Sequence, residues 1–466
     1  MTRLCELKRQ AVLLWIARPA FVYCLAMLLL STALPKLAFS GAGDLDPSFG
    51  TGGTVTTDLG SQEYVAGFAV QHAGHIVLLG SSELFPGAFA LARYLPNGRL
   101  DKSFGLEGII VTDLFGDDLA SPGAVAVQPD GKIVAVGIIV GQGAEYFERL
   151  ALVRYNRNGS LDPGFGDGGK VITRFGQNYA GANSVALQDD GKIVAAGYYH
   201  GDGFPSFALV RYLHNGTIDR GFGRNGRVRI RFFSEDQVQE IANAVAIQHD
   251  GRIVVAGWAS QDRSTADCVG TVGVFALARL RSNGELDPSF GNGGKVKTDF
   301  SKTDDCRYSF DEATSLAIQP DGRIILAGHG THGENVPDDF VIIRYRTDGQ
   351  IDRGFGSHGK VITDFFGNHD RLGGITLQPD GKLLAVGSAQ VTLGALEYDF
   401  ALARYTRNGE IDPSFGMDGK VTTSFFGHDE AVGIALQKNG KIIAAGTAHI
   451  PWTPIRDFGL SRYLSR

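Results

Sequence analysis

Clusters of basic residues are missing from this sequence, which has 44 lysines and arginines against 50 aspartates and glutamates. Nucleic-acid-binding proteins neutralise phosphates with concentrated Lys and Arg, so this charge balance excludes nucleic acid as a partner. Two catalytic motifs of fixed spacing are missing as well. The chain has neither a His-Glu-x-x-His zinc motif nor a Gly-x-Ser-x-Gly nucleophile elbow, so it carries no sequence signature of those two kinds of catalysis.

The first forty residues differ from the rest of the chain. Lys8, Arg9 and Arg18 precede an apolar run over residues 20–34, and small residues lie three positions and one position before a cleavage point after Ser40. This order is typical of a secretory signal peptide, so we expect residues 1–40 to be removed and the protein to be secreted or periplasmic. The alternative is an uncleaved membrane anchor, but the apolar run is shorter than the about 20 residues that a membrane span needs. Cleavage would change the formal net charge from −6 to −10.

Glycine is abundant, with 64 residues, and much of it belongs to a long internal repeat. The pattern Leu/Ile-Asp-x-x-Phe-Gly returns at intervals of about 55 to 68 residues. Its seven copies begin at Leu45, Leu100, Leu161, Ile218, Leu286, Ile351 and Ile411. Regular spacing on this scale indicates a repeat architecture in one domain, which we place at residues 41–466.

Each repeat contains four strand-like segments. In the third copy these are Lys170–Phe175, Ser184–Gln188, Lys192–Ala196 and Phe207–Tyr212. An Asp-Gly pair such as Asp190-Gly191 separates the second segment from the third and predicts a hairpin in which both turn residues take positive φ. Each repeat is therefore expected to form a four-stranded antiparallel meander.

The middle strands decide how these sheets pack. Residues 192–197 read Lys-Ile-Val-Ala-Ala-Gly, so neither set of alternate positions is polar enough to face water. Sheets buried on both faces and repeated seven times predict a seven-bladed β-propeller, an all-β fold of four-stranded antiparallel blades. A β-solenoid is the alternative. The chain ends on a third strand and begins, after residue 40, with an outer strand, so the N-terminal strand is expected to complete the C-terminal blade and close the ring.

The repeated motifs also carry a family resemblance. Leu45–Gly50, Gln128–Val134 and Phe400–Tyr405 resemble the delta-60 repeat, a bacterial repeat more loosely similar to NHL repeats. The likeness extends over nearly all of residues 44–463. It implies a β-propeller and a bacterial source, and it transfers no catalytic residue.

One arginine and one aspartate recur in every repeat. We interpret them as a structural pair that fastens each turn, because functional sites usually break the symmetry of a repeat. The alternative is seven equivalent anion or metal sites. The arginines are Arg93, Arg154, Arg211, Arg279, Arg344, Arg404 and Arg462, and the aspartates are Asp46, Asp101, Asp162, Asp219, Asp287, Asp352 and Asp412.

Variable loops are expected on the face opposite the repeated turns. A metal site there from His329, His332, His369 and His428 is conceivable, although solvated polar loops are the simpler interpretation. The Phe-Gly-x-x-Gly-Gly segments resemble glycine-rich calcium repeats but lack their acidic ligands, so we expect no cofactor, with calcium as the alternative. Cys268 and Cys306 lie in the two longest loop insertions and are candidates for a disulfide in an exported protein.

The favoured function is an exported, non-catalytic scaffold that binds a protein, peptide or glycan through its variable loop face. We expect a monomer whose contact with membranes is limited to an uncleaved N-terminus. The competing class is a propeller hydrolase or lyase, which should gather His, acid and Arg side chains at one opening of the central channel. A purely structural surface protein is a third possibility.

Overall fold

A computed structural model describes residues 41–466, apart from positions 115, 117, 142–145, 176–178, 202, 235–237, 263–270, 301–308, 332–336, 393, 395, 396, 451, 452 and 454. All regular elements in this part of the chain are β-strands. None of the described residues forms a helix that is both long and apolar enough to cross a membrane. The predicted signal peptide over residues 1–40 lies outside the described residues.

The strands form seven antiparallel sheets, one for each repeat, which we call blades 1 to 7. Blade 1 is β2 (Glu63–Val70), β3 (Ile76–Ser82), β4 (Ala88–Tyr94) and β5 (Ile109–Asp113); blade 2 is β6 (Leu119–Val127), β7 (Ile133–Gly141), β8 (Phe147–Tyr155) and β9 (Lys170–Thr173); blade 3 is β10 (Tyr179–Leu187), β11 (Ile193–His200), β12 (Pro205–Tyr212) and β13 (Arg227–Ile230); blade 4 is β14 (Glu240–Ile247), β15 (Ile253–Asp262), β16 (Thr271–Leu280) and β17 (Lys295–Thr298), with β18 (Ser309–Phe310) paired to β16; blade 5 is β19 (Glu312–Ile318), β20 (Ile324–Thr331), β21 (Asp338–Tyr345) and β22 (Lys360–Thr363); blade 6 is β23 (Asp370–Leu377), β24 (Leu383–Gln390), β25 (Tyr398–Tyr405) and β26 (Lys420–Thr423); blade 7 is β27 (Glu430–Leu436), β28 (Ile442–His449), β29 (Arg456–Tyr463) and β1 (Thr54–Thr57). This is the seven-bladed β-propeller that the sequence predicts.

Strand β1 closes the ring. It pairs antiparallel with β29, with Val55 opposite Leu460, and so supplies the outer strand of blade 7. The innermost strands of blades 7 and 1 also pack together, as do those of the other neighbouring blades. The apolar cores lie between adjacent blades; for example, Ile443 and Leu460 of blade 7 pack with Val65 and Leu78 of blade 1. Burial on both faces explains why the middle strands do not alternate between apolar and polar residues.

Two local predictions needed correction. Asp130 does not take positive φ; in this hairpin the positive φ belongs to Gly131, at +83°. The Gly131 amide donates to the Gln128 carbonyl and the Gln128 amide donates to the Lys132 carbonyl, so the loop has three residues and Pro129 occupies a position where its fixed φ suits a type I turn. The inner strand of blade 3 begins at Tyr179, five residues before the predicted start. A bulge at Asn183 interrupts its pairing, and the small residues before the bulge carry little strand propensity.

The recurring arginine and aspartate form the same buried ion pair in every blade, here called the clasp. In blade 6, Arg404 Nε donates to Asp412 Oδ2 at 2.8 Å and Arg404 Nη1 donates to the carbonyl of Ser465 in the next blade at 2.9 Å. Lys382 Nζ lies 2.8 Å from the same Asp412 oxygen. The other clasps are Arg93–Asp101, Arg154–Asp162, Arg211–Asp219, Arg279–Asp287, Arg344–Asp352 and Arg462–Asp46. Each clasp therefore joins its own turn to the turn of the following blade.

A second contact between blades is made by hydroxyl groups. In six blades a fully buried tyrosine at the end of the third strand hydrogen bonds with a threonine on the outer strand of the preceding blade, as Tyr405 does with Thr363 at 2.7 Å. Between blades 3 and 4 both positions are apolar. Leu280 replaces the tyrosine, Ile230 replaces the threonine, and both are buried in one cluster. Both positions are therefore polar or both are apolar, because a single buried hydroxyl without a partner would be destabilising.

Replacing Asp412 with Asn should lower the free energy of unfolding at pH 7 by about 3 kcal/mol, because it leaves buried Arg404 without its charged partner. Burial alone would raise the pKa of Asp412, but the hydrogen bonds from Lys382 and Ser414 and the charge of Arg404 hold it well below its usual range. The native pair therefore contributes its full stability above the unfolded-state pKa of about 3.9 and loses it as the pH falls below that value.

Urea unfolding from pH 7 to pH 3 should show the difference between D412N and the unaltered protein shrinking below about pH 4. The exposed neighbour Asp418→Asn is the control, and a cost independent of pH would contradict the assignment.

A double-mutant cycle tests the hydroxyl contact. Ile230→Thr alone should destabilise the protein by about 2 kcal/mol, because it buries an unpaired hydroxyl, and Leu280→Tyr alone by about 1–3 kcal/mol. The double variant recreates the pair found between the other blades, so we expect it to recover about 1–2 kcal/mol of the summed cost. Urea unfolding of all four proteins gives the coupling energy, and strictly additive costs would show that the two positions are independent.

Candidate functional site

The inner strands of the seven blades begin at the same end of the ring, and we call this end the channel mouth. In six blades the inner strand alternates there between buried residues and a less buried one, and we call the position of the less buried residue, and of its counterpart in blade 3, channel-facing. Three of the channel-facing residues are charged, and all three belong to consecutive blades, 5 to 7. In order from blade 1 to blade 7 these residues are Tyr64, Ser121, Gly181, Ile241, Glu312, Arg371 and Glu430.

The residue before each channel-facing position is buried, and in five blades it is an acid. In blade 6, Asp370 Oδ2 accepts the amide hydrogen of Phe365 at 2.7 Å, and in blade 7 Asp429 Oδ2 accepts that of Phe425 at 2.6 Å. These carboxylates fix the loop that leads from one blade to the next. The five buried acids are Glu63, Glu240, Asp311, Asp370 and Asp429.

Blades 5 and 6 meet at a corner that contains Asp338, His369 and Arg371. His369 Nδ1 accepts the Asp338 amide hydrogen at 3.1 Å and lies 3.5 Å from Asp338 Oδ2. Arg371 Nε is 4.0 Å from the same carboxylate oxygen, and the Arg371 side chain is 58% exposed. Asp338 thus holds the imidazole and the guanidinium near one point while the guanidinium stays open to a ligand.

The corner between blades 6 and 7 contains Tyr398, His428 and Glu430 at the equivalent positions. His428 Nε2 and Glu430 Oε1 form a 2.6 Å hydrogen bond, and the His428 ring lies 4.7 Å from the Tyr398 ring between centroids. The hydrogen bond from His428 is the main reason that the pKa of Glu430 is lowered. Burial, with smaller contributions from nearby charges, raises the pKa of Tyr398.

Two further groups extend this site on either side. In blade 5, Glu312 accepts a hydrogen bond from Asn243 at 2.9 Å, and His329 Nε2 lies 3.9 Å from its other oxygen. Burial lowers the pKa of His329 to about 4, so this imidazole is neutral at pH 7. On the blade 7 side, the guanidinium carbon of Arg456 lies 5.5 Å from the centroid of the Tyr64 ring.

These groups form one electrostatic unit. Burial is the largest influence on the pKa of Glu312 and of Tyr398, and the His428 hydrogen bond is the largest influence on the pKa of Glu430. Beyond these, the charge of Arg371 lowers the pKa of both glutamates. The charge of Asp338 raises the pKa of Glu312 and of Tyr398. The arrangement offers hydrogen-bond donors, acceptors, a free guanidinium and aromatic rings within three blades. It can bind a polar ligand, and His428 with Tyr398 could also transfer protons.

The structure places the predicted histidines at the channel mouth but in separate partnerships. His329 lies beside Glu312, His369 beside Asp338 and His428 beside Glu430. Among the described residues, the groups of three adjacent metal-ligating atoms consist of carboxylates alone. His332, Cys268 and Cys306 lie outside the described residues, so the histidine metal site and the disulfide stay predictions.

The burial of these acids was not predicted, because Asp370 and Asp429 were expected only as acids of the variable loops and Glu63, Glu240 and Asp311 were not singled out. A signal for two of them is present, because Phe365 and Phe425 are each followed by Phe-Gly and then by a His-Asp pair before an inner strand. Asp370 and Asp429 are the aspartates of these pairs. The length of the loop varies between repeats, which hides the equivalence of the other three acids.

A family model described as "Domain of unknown function (DUF5122) beta-propeller" matches six stretches of this chain, one in each of blades 1 to 6. The matched residues are 74–104, 128–165, 188–222, 248–290, 319–355 and 378–415. They cover the hairpin, the third strand and the clasp turn of each blade. This chain is a β-propeller repeat protein. No curated protein matches it in sequence.

Solved structures with a similar fold have low sequence identity to this repeat protein. The polysaccharide lyase Uly1 is 10% identical, with a TM-score of 0.48, and the match covers 88% of this chain and 91% of that one. Virginiamycin B lyase from Staphylococcus aureus, a catalytically inactive variant with quinupristin, is 12% identical, with a TM-score of 0.45 over 88% and 98% of the chains. A protein of unknown function from Dyadobacter fermentans is 12% identical, with a TM-score of 0.44 over 90% and 100%. Likeness at this level gives no information about activity.

Replacing His428 with Phe tests the hydrogen bond at the centre of the blade 6–7 corner. The substitution keeps an aromatic ring beside Tyr398 and removes the donor to Glu430, so the pKa of Glu430 should rise because only the charges of Arg456 and Arg371 then oppose burial. Carboxyl carbon NMR of protein labelled at glutamate can follow this titration. His200→Phe, in blade 3, is the control. An unchanged Glu430 pKa in H428F would show that the hydrogen bond does not form in solution.

Proposed function

We propose that this protein is an exported, non-catalytic binding scaffold that takes a protein, peptide or glycan at the channel mouth of blades 5 to 7. The observation that carries the proposal is a break in symmetry. The clasp and the hydroxyl contacts recur around the ring, whereas Arg371, Tyr398, His428 and Glu430 have no counterparts in blades 2 and 3. Residues that depart from a repeat at one place contribute little to its common scaffold and are free to serve recognition.

Exposed aromatic residues support the same placement. Phe366 is 46% exposed on the loop between blades 5 and 6, and Phe426 is 74% exposed at the equivalent position between blades 6 and 7. Exposed aromatic rings and exposed arginines are typical of binding surfaces, where Tyr, Trp and Arg provide most of the affinity. We further propose that the repeats are of the delta-60 type, that residues 1–40 direct export to the bacterial envelope, and that the protein acts as a monomer.

Acid–base catalysis is the second candidate, as a hydrolase or lyase at the same place. It is favoured by the short His428–Glu430 hydrogen bond beside Tyr398, because an imidazole oriented by a carboxylate can act as a general base. Incubation with the bound ligand separates the two candidates. Mass spectrometry would find the ligand intact for a scaffold, gain of water at a cleaved bond for a hydrolase, or an unsaturated fragment for a lyase.

The binding proposal predicts a loss of affinity in variants of the channel mouth. An array of oligosaccharides and peptides would identify the strongest binder of the exported protein, which is then titrated by calorimetry. Arg371→Ala and Tyr398→Ala should each weaken binding at least about tenfold, equivalent to about 1.4 kcal/mol. Arg281→Ala is a matched control on the opposite face, since its side chain is 53% exposed against 58% for Arg371. If all three variants bind equally well, the ligand docks elsewhere.

A further inference from the structure

Two groups of three carboxylates lie at equivalent positions of the ring, and we call them the acid triads. One consists of Asp339, Asp364 and Asp370, and the other of Asp58, Glu63 and Asp457. In each, one residue comes directly after the outer strand of one blade, one from the third strand of the same blade, and one from the inner strand of the next blade. One oxygen atom from each carboxylate lies within 4.8 Å of the others.

Buried oxygen atoms without a partner set the triads apart from ordinary acidic surfaces. Asp370 is fully buried, and its Oδ1 atom has no hydrogen-bond partner although Oδ2 accepts the Phe365 amide hydrogen. In the second triad, Glu63 Oε2 and Asp457 Oδ1 are buried and receive no hydrogen bond from a protein donor, although the Glu63 and Asp457 carboxyl groups contact each other. A buried carboxylate oxygen without a donor is costly, so a cation is the expected partner at such a position.

The chain contains an internal comparison between blades 6 and 7. There Asp399 and Asp429 occupy the positions of Asp339 and Asp370, and Ser424 replaces the third carboxylate. Ser424 donates a hydrogen bond to Asp399, and both oxygens of Asp429 accept backbone amide hydrogens, from Phe425 at 2.6 Å and from His449 at 2.7 Å. At this boundary protein donors satisfy Asp399 and Asp429, whereas each triad contains buried oxygens without a donor.

We propose that each acid triad binds one divalent cation, Ca²⁺ by its chemistry, and so ties neighbouring blades together at the channel mouth. Calcium prefers carboxylate and carbonyl oxygens and tolerates irregular geometry, whereas Mg²⁺ requires a nearly ideal octahedron and retains most of its water. Asp58 and Asp364 are exposed and leave a route for the ion from solvent. The crowding of charge agrees with this assignment, since burial and then repulsion from Asp364 and Asp339 raise the pKa of Asp370 to about 8.

Calcium titration of the exported protein after removal of divalent ions tests the proposal. Calorimetry should give two ions per chain, and added Ca²⁺ should raise the melting temperature in a manner reversed by chelator. Absence of binding up to about 10 mM, which is above the weakest range of extracellular calcium modules, would overturn the proposal. This measurement uses the unaltered protein and does not depend on the folding of a variant.

Variants then assign the ions to the triads. Asp364→Ser and Asp58→Ser each reproduce the serine that the chain already has at Ser424, so both should fold. Each should bind one ion, and the double variant none. Asp418→Ser, an exposed acid on the opposite face, should still bind two. Two ions in the double variant would place the calcium elsewhere and overturn the assignment.

Discussion

The clasp between arginine and aspartate is the interaction on which the ring depends. Its guanidinium joins the turn of its own blade, through the aspartate, to a backbone carbonyl in the next blade, and it also lies over the phenylalanine ring of the repeated turn. In the last copy Arg462 pairs with Asp46, near the other end of the described chain. The interaction that repeats locally in six blades thus becomes, in the seventh, the interaction that closes the circle together with β1. Because the same geometry serves both purposes, closure needs no special residues.

Much of this architecture could be predicted because it repeats. Seven copies of Leu/Ile-Asp-x-x-Phe-Gly established the number of blades, and buried middle strands established their radial packing. Errors arose where the same residues are compatible with more than one local backbone structure. Asp130 lies in a pair that usually forms a two-residue turn, but the loop has three residues, as it also has where Asp189 or His249 replaces Pro129. In blade 3, residues 179–182 before the bulge lack β-branched residues. The replacement of the tyrosine–threonine pair by Leu280 and Ile230 could not be predicted, because the sequence does not show that these two positions are in contact between blades.

The candidate site was harder to predict for a physical reason. Its residues are brought together from loops and strand ends of three blades, and neither spacing nor composition marks them. Arg371 was not singled out and Glu430 was expected only as one acid of the variable loops, although each lies next to an aspartate that follows a histidine. Strand alternation explains their role, because a buried Asp370 at the start of β23 forces its neighbours to the opposite side, toward the channel. The histidines were recognised, but their partners became visible only from the contacts.

The same alternation connects stability with recognition. Asp370 and Asp429 hold their loops by accepting backbone amide hydrogens, and His369, Arg371, His428 and Glu430 are their immediate neighbours in the chain. A buried acid therefore acts as the fixed point from which two exposed side chains are positioned. Asp370 also belongs to a triad. A cation bound by that triad would restrain Asp370 further without contacting the ligand. Blades 2 and 3, in which Ala120 and Ala180 replace the acid, lack this fixed point, and they also lack charged side chains at the channel-facing position. Blades 1 and 4 have the buried acid with Tyr64 and Ile241 at the channel-facing position, so the acid provides a rigid base without determining which side chain it positions.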